Sequence, residues 1–266
     1  MSVLTTDHPA WTELEGGGRA RAVCTGTGVW AVAWDSDGVH LTCVDGSEDV
    51  KPTVVTTDPA RVPADVPAQL REGLDGLGVT QRLANPWLWD AITTAVLRQV
   101  VRAEQARKLY RAWCWGYGSR YTTPYGELTL APSPAQVLAP TDDEFANIGA
   151  KFHSTVLRAA AGLYEANAAR WQHLGAPELT AALVRVPRIG PWTAAAAASD
   201  FTGDFAVYPH DDLAVRTWAA KIAPTYPWPD KKDKSFGPMW TGWAGPDRTA
   251  LHSLTLSTLT WGSHAR

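Results

Sequence analysis

The spacing of apolar residues changes period once along the chain, and that change limits the possible folds more than any other feature. From Arg19 to Thr57 the pattern is β-like. Ala20, Ala22 and Cys24 alternate with polar residues, and Val29–Trp34 is a run of strand-favouring side chains. Asp35-Ser36-Asp37-Gly38 carries turn chemistry, and Val39–Val44 follows as a partner strand. Three prolines within Pro59–Pro67 mark a boundary. Beyond it, apolar residues recur at helical spacing from Trp87 to Trp113, at Trp89, Ile92, Val96, Val100, Ala103, Leu109 and Trp113. These periods predict an α+β chain, mainly α, with a small antiparallel sheet in residues 1–66 and a helical core in 67–266.

Several helix boundaries are written in capping chemistry. Ser133-Pro134 reads as a cap followed by a first-turn proline, and Thr141–Glu144 has capping-box spacing. Further helices are expected over Phe152–Ala169, Pro177–Val186, Trp192–Ser199, about Asp212–Ile222 and Asp247–Trp261. Pro224–Pro246, with five prolines and three glycines, is expected to be mostly irregular.

Composition narrows the function classes. Hydrophobic residues make up 45% and charged residues 19%, so the chain has the means to build a core. No apolar run approaches the ~20 residues of a membrane-spanning helix, and Met1–Glu15 lacks the pattern of a signal peptide. Cys24, Cys43 and Cys114 have neither disulfide-framework nor metal-ligand spacing. A cytoplasmic protein without cysteine-bound metal is expected. The net charge of −3 hides an asymmetry, because residues 1–66 carry four Lys/Arg against ten Asp/Glu. Between Arg98 and Arg120 there are six basic residues and one acidic residue, Glu104. Such a stripe suits phosphate binding, and it equally suits a solvated helix face.

Two segments carry chemistry. The first is the helix–turn–helix Leu183–Ala194, with Pro187-Arg188-Ile189-Gly190-Pro191 as its turn. A turn opening a helix presents backbone N–H groups and the positive end of the helix dipole, which together suit a phosphate; an ordinary helical hairpin is the plainer reading. The second is Pro209-His210-Asp211-Asp212-Leu213, two adjacent carboxylates at a helix start. Helix capping alone would account for such a pair.

Taken together, these segments resemble the helix–hairpin–helix DNA glycosylases, and within that superfamily the bacterial 3-methyladenine DNA glycosylase II branch. The resemblance covers about Asn85–Trp261. It is carried by the hairpin, by the aspartate pair, by Ala91–Val101 with its leucine–x–glutamine segment at Leu97-Arg98-Gln99, and by a final helix holding Arg248 and His252. It implies a hairpin at about 179–199 and a catalytic carboxylate at Asp212, twenty residues after Trp192, with Asp211 as the capping neighbour. It also implies that Gln99, Val100, Arg188, Ile189, Gly190 and Thr193 contact DNA, with Gln99 and Val100 in the region that fills the gap left by a flipped base. A base pocket at Trp192, Ala196 and Leu256 follows by the same comparison. A monovalent cation at the hairpin belongs to the resemblance as well; no other cofactor is expected.

The lyase-type members place a nucleophilic lysine where this chain has Trp192. Indole forms no Schiff base, so the expectation is a monofunctional, monomeric enzyme that acts on duplex DNA containing a modified base and leaves an abasic site. The chain also departs from the branch. Ala196 stands where a tyrosine is expected, Leu256 where a second pocket tryptophan is expected, and Arg188 where the hairpin has a glycine. Alkylated purines are the default substrate. A bulky hypermodified base, such as glucosylated hydroxymethylcytosine in phage DNA, is the alternative that Ala196 and Leu256 leave open. A non-catalytic DNA-binding module is a further one.

Overall fold

The computed structural model describes residues 3–264. Nine strands and eleven α-helices are found among them. The strands are β1 (Val3–Thr5), β2 (Thr12–Glu13), β3 (Arg19–Cys24), β4 (Gly28–Asp35), β5 (Gly38–Gly46), β6 (Val54–Thr57), β7 (Thr80–Leu83), β8 (Arg120–Thr123) and β9 (Gly126–Thr129). The helices begin with α1 (Ala68–Asp75), α2 (Leu88–Leu97), α3 (Ala103–Tyr117), α4 (Pro134–Leu138), α5 (Asp142–Asn147) and α6 (Ser154–Trp171). They continue with α7 (Ala176–Leu183), α8 (Pro191–Thr202), α9 (Leu213–Ile222), α10 (Phe236–Ala244) and α11 (Arg248–His264). The α+β class, mainly α, is as the two periods imply.

The chain forms two compact units that interleave in sequence, rather than dividing at residue 66. Among the described residues, one contains 3–7, 54–84 and 203–264; the other contains 8–53 and 85–202. Strand pairing between distant segments is the cause. In the first unit, β1 pairs in parallel with β7, and β7 pairs antiparallel with β6. The C-terminal helix α11 closes onto this sheet through Thr260 Oγ1, 2.6 Å from Thr5 Oγ1, and His264 Nε2, 2.8 Å from the Leu4 carbonyl. His252 on the same helix accepts the Phe205 N–H at Nδ1 (3.1 Å) and faces Thr57 Oγ1 with Nε2 (3.1 Å).

In the second unit β2–β5 form an antiparallel meander, with Ala22 opposite Ala31 and Ala20 opposite Ala33. These small side chains form a flat buried face with Leu128 and Leu130. The intervening Arg21, expected on the polar face, is also buried. Its Nη2 reaches Asp90 Oδ2 at 3.3 Å. Asp90 further accepts from Asn85 Nδ2 (3.0 Å) and from the Tyr110 hydroxyl (2.7 Å), so a buried polar network lies beneath α2.

The capping boxes at Ser133/Gln136 and Thr141/Glu144 form as their spacing implies. One expectation needs correction. The helical stretch from Trp87 to Trp113 is broken by a turn at residues 98–102. Pro224–Pro246 is mostly irregular, as its prolines imply, and holds one helix, α10, where Phe236 and Trp240 are buried and Pro238 falls in the first turn, where a missing N–H costs little.

Candidate DNA-binding and catalytic site

In the second unit, α2 and α8 run antiparallel and are fastened at both ends. At one end the Asn85 N–H donates to the Asp200 carbonyl (3.1 Å), and Asn85 Nδ2 donates to Asp200 Oδ2 (2.9 Å). At the other end Gln99 Nε2 donates to Thr193 Oγ1 (2.7 Å) and lies 3.4 Å from the Arg188 carbonyl. Gln99, Arg188 and Thr193 thus come together, with the amide of Gln99 directed at the hairpin.

The next residue, Val100, is 90% exposed and has φ of 61°. A β-branched side chain is strained in that left-handed region, and strain of this kind clusters at functional sites. An exposed apolar side chain on a strained turn is an arrangement that can enter a base stack.

The hairpin turn holds the other non-glycine residue with positive φ among the described residues, Arg188 at 68°. Its exposed side chain sits where a glycine would relax the backbone. Gly190 does not have a positive φ, and a Cβ there would meet nothing within 4 Å. Its own packing therefore does not require glycine, whereas close approach of a phosphate would. Ile189 is 4% exposed, and its N–H is used on the Val186 carbonyl (3.0 Å), so it packs the turn from inside. Thr193 is likewise buried. The turn carries no carboxylate, and the carbonyls of Val186 and Arg188 already accept hydrogen bonds. A monovalent cation at the hairpin would be held by such backbone carbonyls, each of which keeps a second lone pair, and no step below passes through it. Among the described residues no group of three His, Cys, Asp or Glu side chains could hold a metal ion.

Of the expected pocket residues, Trp192 is half-buried on α8, Ala196 is 6% exposed on the same helix, and Leu256 is 1% exposed on α11. A cavity of about 430 Å³ in the second unit, lined by Tyr110, Arg111, Trp115 and Leu128, includes none of the candidate residues.

Asp212 lies in the first unit. It is the N-cap of α9, and its Oδ1 accepts the Ala214 N–H at 2.7 Å. The capping role expected of Asp211 therefore belongs to Asp212. Asp211 instead accepts from Arg216 Nη2 (2.9 Å) and from the Gly237 N–H (2.8 Å), both at Oδ1. The Gly237 contact, twenty-six positions away, has no signal in the sequence. A Cβ at Gly237 would lie 2.9–3.1 Å from the Asp211 carboxylate, so glycine is needed for the approach. Burial pushes the ring of His210, just before the pair, below the ordinary histidine value.

Comparison with known proteins supplies fold and not family. No family model matches the chain, and no curated protein does. Solved structures match over three quarters or more of its length at low identity. An 8-oxoguanine glycosylase/lyase from Clostridium acetobutylicum, in complex with duplex DNA containing cytosine opposite 8-oxoguanine, is 14% identical with a TM-score of 0.70, covering 96% of this chain and 88% of that one. A 3-methyladenine DNA glycosylase from Archaeoglobus fulgidus is 17% identical with a TM-score of 0.68, covering 93% and 87%. A 3-methyladenine DNA glycosylase from Schizosaccharomyces pombe bound to abasic DNA is 15% identical with a TM-score of 0.55, covering 76% and 94%. The chain has the fold of these DNA glycosylases.

Proposed function

We propose that this protein is a monofunctional DNA glycosylase that extrudes a modified base from duplex DNA and hydrolyses its N-glycosidic bond. The observation that carries the reading is a carboxylate, Asp212, fixed at the N-terminus of α9 in a chain with a DNA-glycosylase fold. Breaking the bond between C1′ and the base nitrogen builds positive charge on the deoxyribose. A carboxylate held near that sugar stabilises the charge and takes a proton from the attacking water as the C1′–O bond forms. The departing base carries away the bonding electron pair and is protonated, leaving an abasic site. The capping bond from Ala214 holds the carboxylate in one orientation, which is the preorganisation such catalysis needs.

The hairpin supplies phosphate contacts through its backbone and through Arg188, and Val100 fills the space vacated by the base. Trp192 at the start of α8 offers no amine, so the strand stays intact. Alkylated purines are the default substrate. Ala196 favours a second reading, a bulky hypermodified base, because a methyl group takes less of the pocket than the ring expected there. The partner is duplex DNA, met by a monomer in the cytoplasm.

Incubation with duplexes carrying alkylated, deaminated and hypermodified bases, followed by alkali, tests the reading. Abasic sites from one class, lost in Asp212→Asn, are expected. Absence of base release from every duplex, or full release by Asp212→Asn, overturns it.

A further inference from the structure

The segment between α9 and α10 has no place in the chemistry above, yet it is tied to the residue beside Asp212. Arg216, on the first turns of α9, has a side chain only 10% exposed. Its Nη1 donates to the Asp230 carbonyl (3.2 Å), and its Nη2 donates to the Asp233 carbonyl (2.6 Å) and to Asp211 Oδ1 (2.9 Å). The guanidinium also lies 4.5 Å from the centre of the Phe236 ring. With the Gly237 N–H on the same Asp211 oxygen, both ends of residues 230–237 are held at the α9 N-terminus. One planar cation satisfying three acceptors while stacked on a ring makes a rigid anchor, which a lysine could not reproduce.

The anchored loop displays Lys231, Lys232 and Lys234, all exposed, and the ion pairs formed in this region do not involve them. Its two acidic residues, Asp230 and Asp233, offset this only in part, since three lysines against two aspartates leave residues 230–237 with a net charge of +1. Asp233 Oδ1 is spent on the Ser235 N–H (2.8 Å), and that bond, together with the Ser235 side chain, holds its carboxyl below the ordinary range. Asp230 and Asp233 are both exposed, so the loop keeps one net positive charge on its solvent side. Three neighbouring ammonium groups repel one another, and the two aspartates leave one positive charge that an outside anion would compensate.

We propose that Lys231, Lys232 and Lys234 form a phosphate-contacting surface for the DNA backbone, held at the catalytic carboxylate's neighbour by Arg216. This rests on the DNA-glycosylase reading and adds to it a second region of backbone contact, on the unit that carries Asp212. Contacts of this kind read no sequence and act through counterion release.

The test uses the full chain and a short, unmodified, fluorescently labelled duplex, with affinity measured by anisotropy over a range of KCl concentrations. The Lys231→Gln/Lys232→Gln/Lys234→Gln variant should lose about 0.9 from the slope of log K against log[KCl] for each contact removed. The corresponding triple arginine variant should keep the wild-type slope. Arg216→Lys, which frees the loop but keeps its charge, should fall between the two. A glutamine variant with wild-type slope and affinity overturns the proposal and leaves the glycosylase reading standing. Duplex binding that fails, or ignores salt, in the wild type overturns both. A shallower slope in the glutamine variant, beside a wild type that releases no base from any duplex, would support the surface and remove the enzyme reading.

Discussion

Gln99 Nε2 lies 2.7 Å from Thr193 Oγ1, and this bond ties the strained turn bearing Val100 to the first turn of the hairpin's second helix. The same amide approaches the Arg188 carbonyl, so the two non-glycine residues with left-handed backbones flank one side chain. If the tether stabilises the arrangement, Gln99→Ala and Thr193→Val should each cost about 0.5–1.5 kcal/mol. The double variant should cost about the same as either alone. Urea unfolding of the four proteins measures this, and strict additivity would show that the two side chains are energetically independent.

Asp212 and Asp211 do different work, and substitution should separate them. Asn at 212 still caps a helix, so Asp212→Asn should unfold within a few tenths of a kcal/mol of wild type. Single-turnover base release should fall by about 10²–10³-fold or more, the scale of losing one preorganised electrostatic partner. Asp211→Ala removes the acceptor for Arg216 and Gly237 and should cost about 1–3 kcal/mol of stability. Release per folded molecule should fall far less than in Asp212→Asn. Equal single-turnover rates for the two variants at full folding would contradict the assignment.

The buried network under α2 predicts acid sensitivity of known sign. Burial, helped by the nearby Arg21 charge, pushes His8 below the ordinary histidine value despite the attraction of Asp90. The Ala10 N–H donates to His8 Nδ1 (3.2 Å), so the neutral ring carries its proton on Nε2, toward Thr94 Oγ1 (3.0 Å) and Asp90 Oδ2 (3.4 Å). An unfolded chain takes up this proton near pH 6.5, and the folded chain resists until lower pH. Stability is therefore full above that value and declines as pH falls below it, by at most about 1.4 kcal/mol per pH unit for this group. Asp90 adds a loss of the same sign at lower pH. Burial alone would raise its carboxyl, but His8, Arg21 and Tyr110 facing it outweigh that and hold it below its ordinary value. His8→Gln keeps a donor and an acceptor but does not titrate, so its melting temperature should vary less between about pH 7 and about pH 5. Parallel melting curves against pH for the two proteins would show that other histidines carry the effect.

The elements legible in the sequence are those set by local chemistry. Strands β3–β5 follow from alternation around Asp35–Gly38, and α4 and α5 from the caps at Ser133 and Thr141, because each signal lies within a few residues of what it determines. Strands β1 and β7 were illegible, since three or four residues acquire strand geometry only by pairing across more than seventy positions. The interleaved units are hidden for the same reason. Within the candidate site, the helix start at Asp212 was legible, but the exchange of capping roles was not, because Asp211 turns toward Gly237 and Arg216 through tertiary contacts. Asp90 gave a signal that could have been used, a lone carboxylate inside the apolar run Leu88–Leu97. Its partner Arg21 sits on a strand sixty-nine positions away.

Val100 offers a test in which stability and activity move in opposite directions. Its φ of 61° costs a β-branched residue on the order of 1–2 kcal/mol, which glycine does not incur. The side chain is 90% exposed, so its removal forfeits almost no packing. Val100→Gly should therefore unfold at higher urea concentration, by about 1 kcal/mol after allowing for glycine's greater freedom in the unfolded chain. If the side chain fills the gap left by an extruded base, the same variant should extrude it less readily. A fluorescent base analogue at the target position would report weaker unstacking, and base release at limiting enzyme would slow, while affinity for unmodified duplex changed little. Val100→Ala retains the strain, shortens the wedge, and should lose extrusion without gaining stability. A glycine variant that is more stable and fully active would place the strain elsewhere than in the service of base flipping.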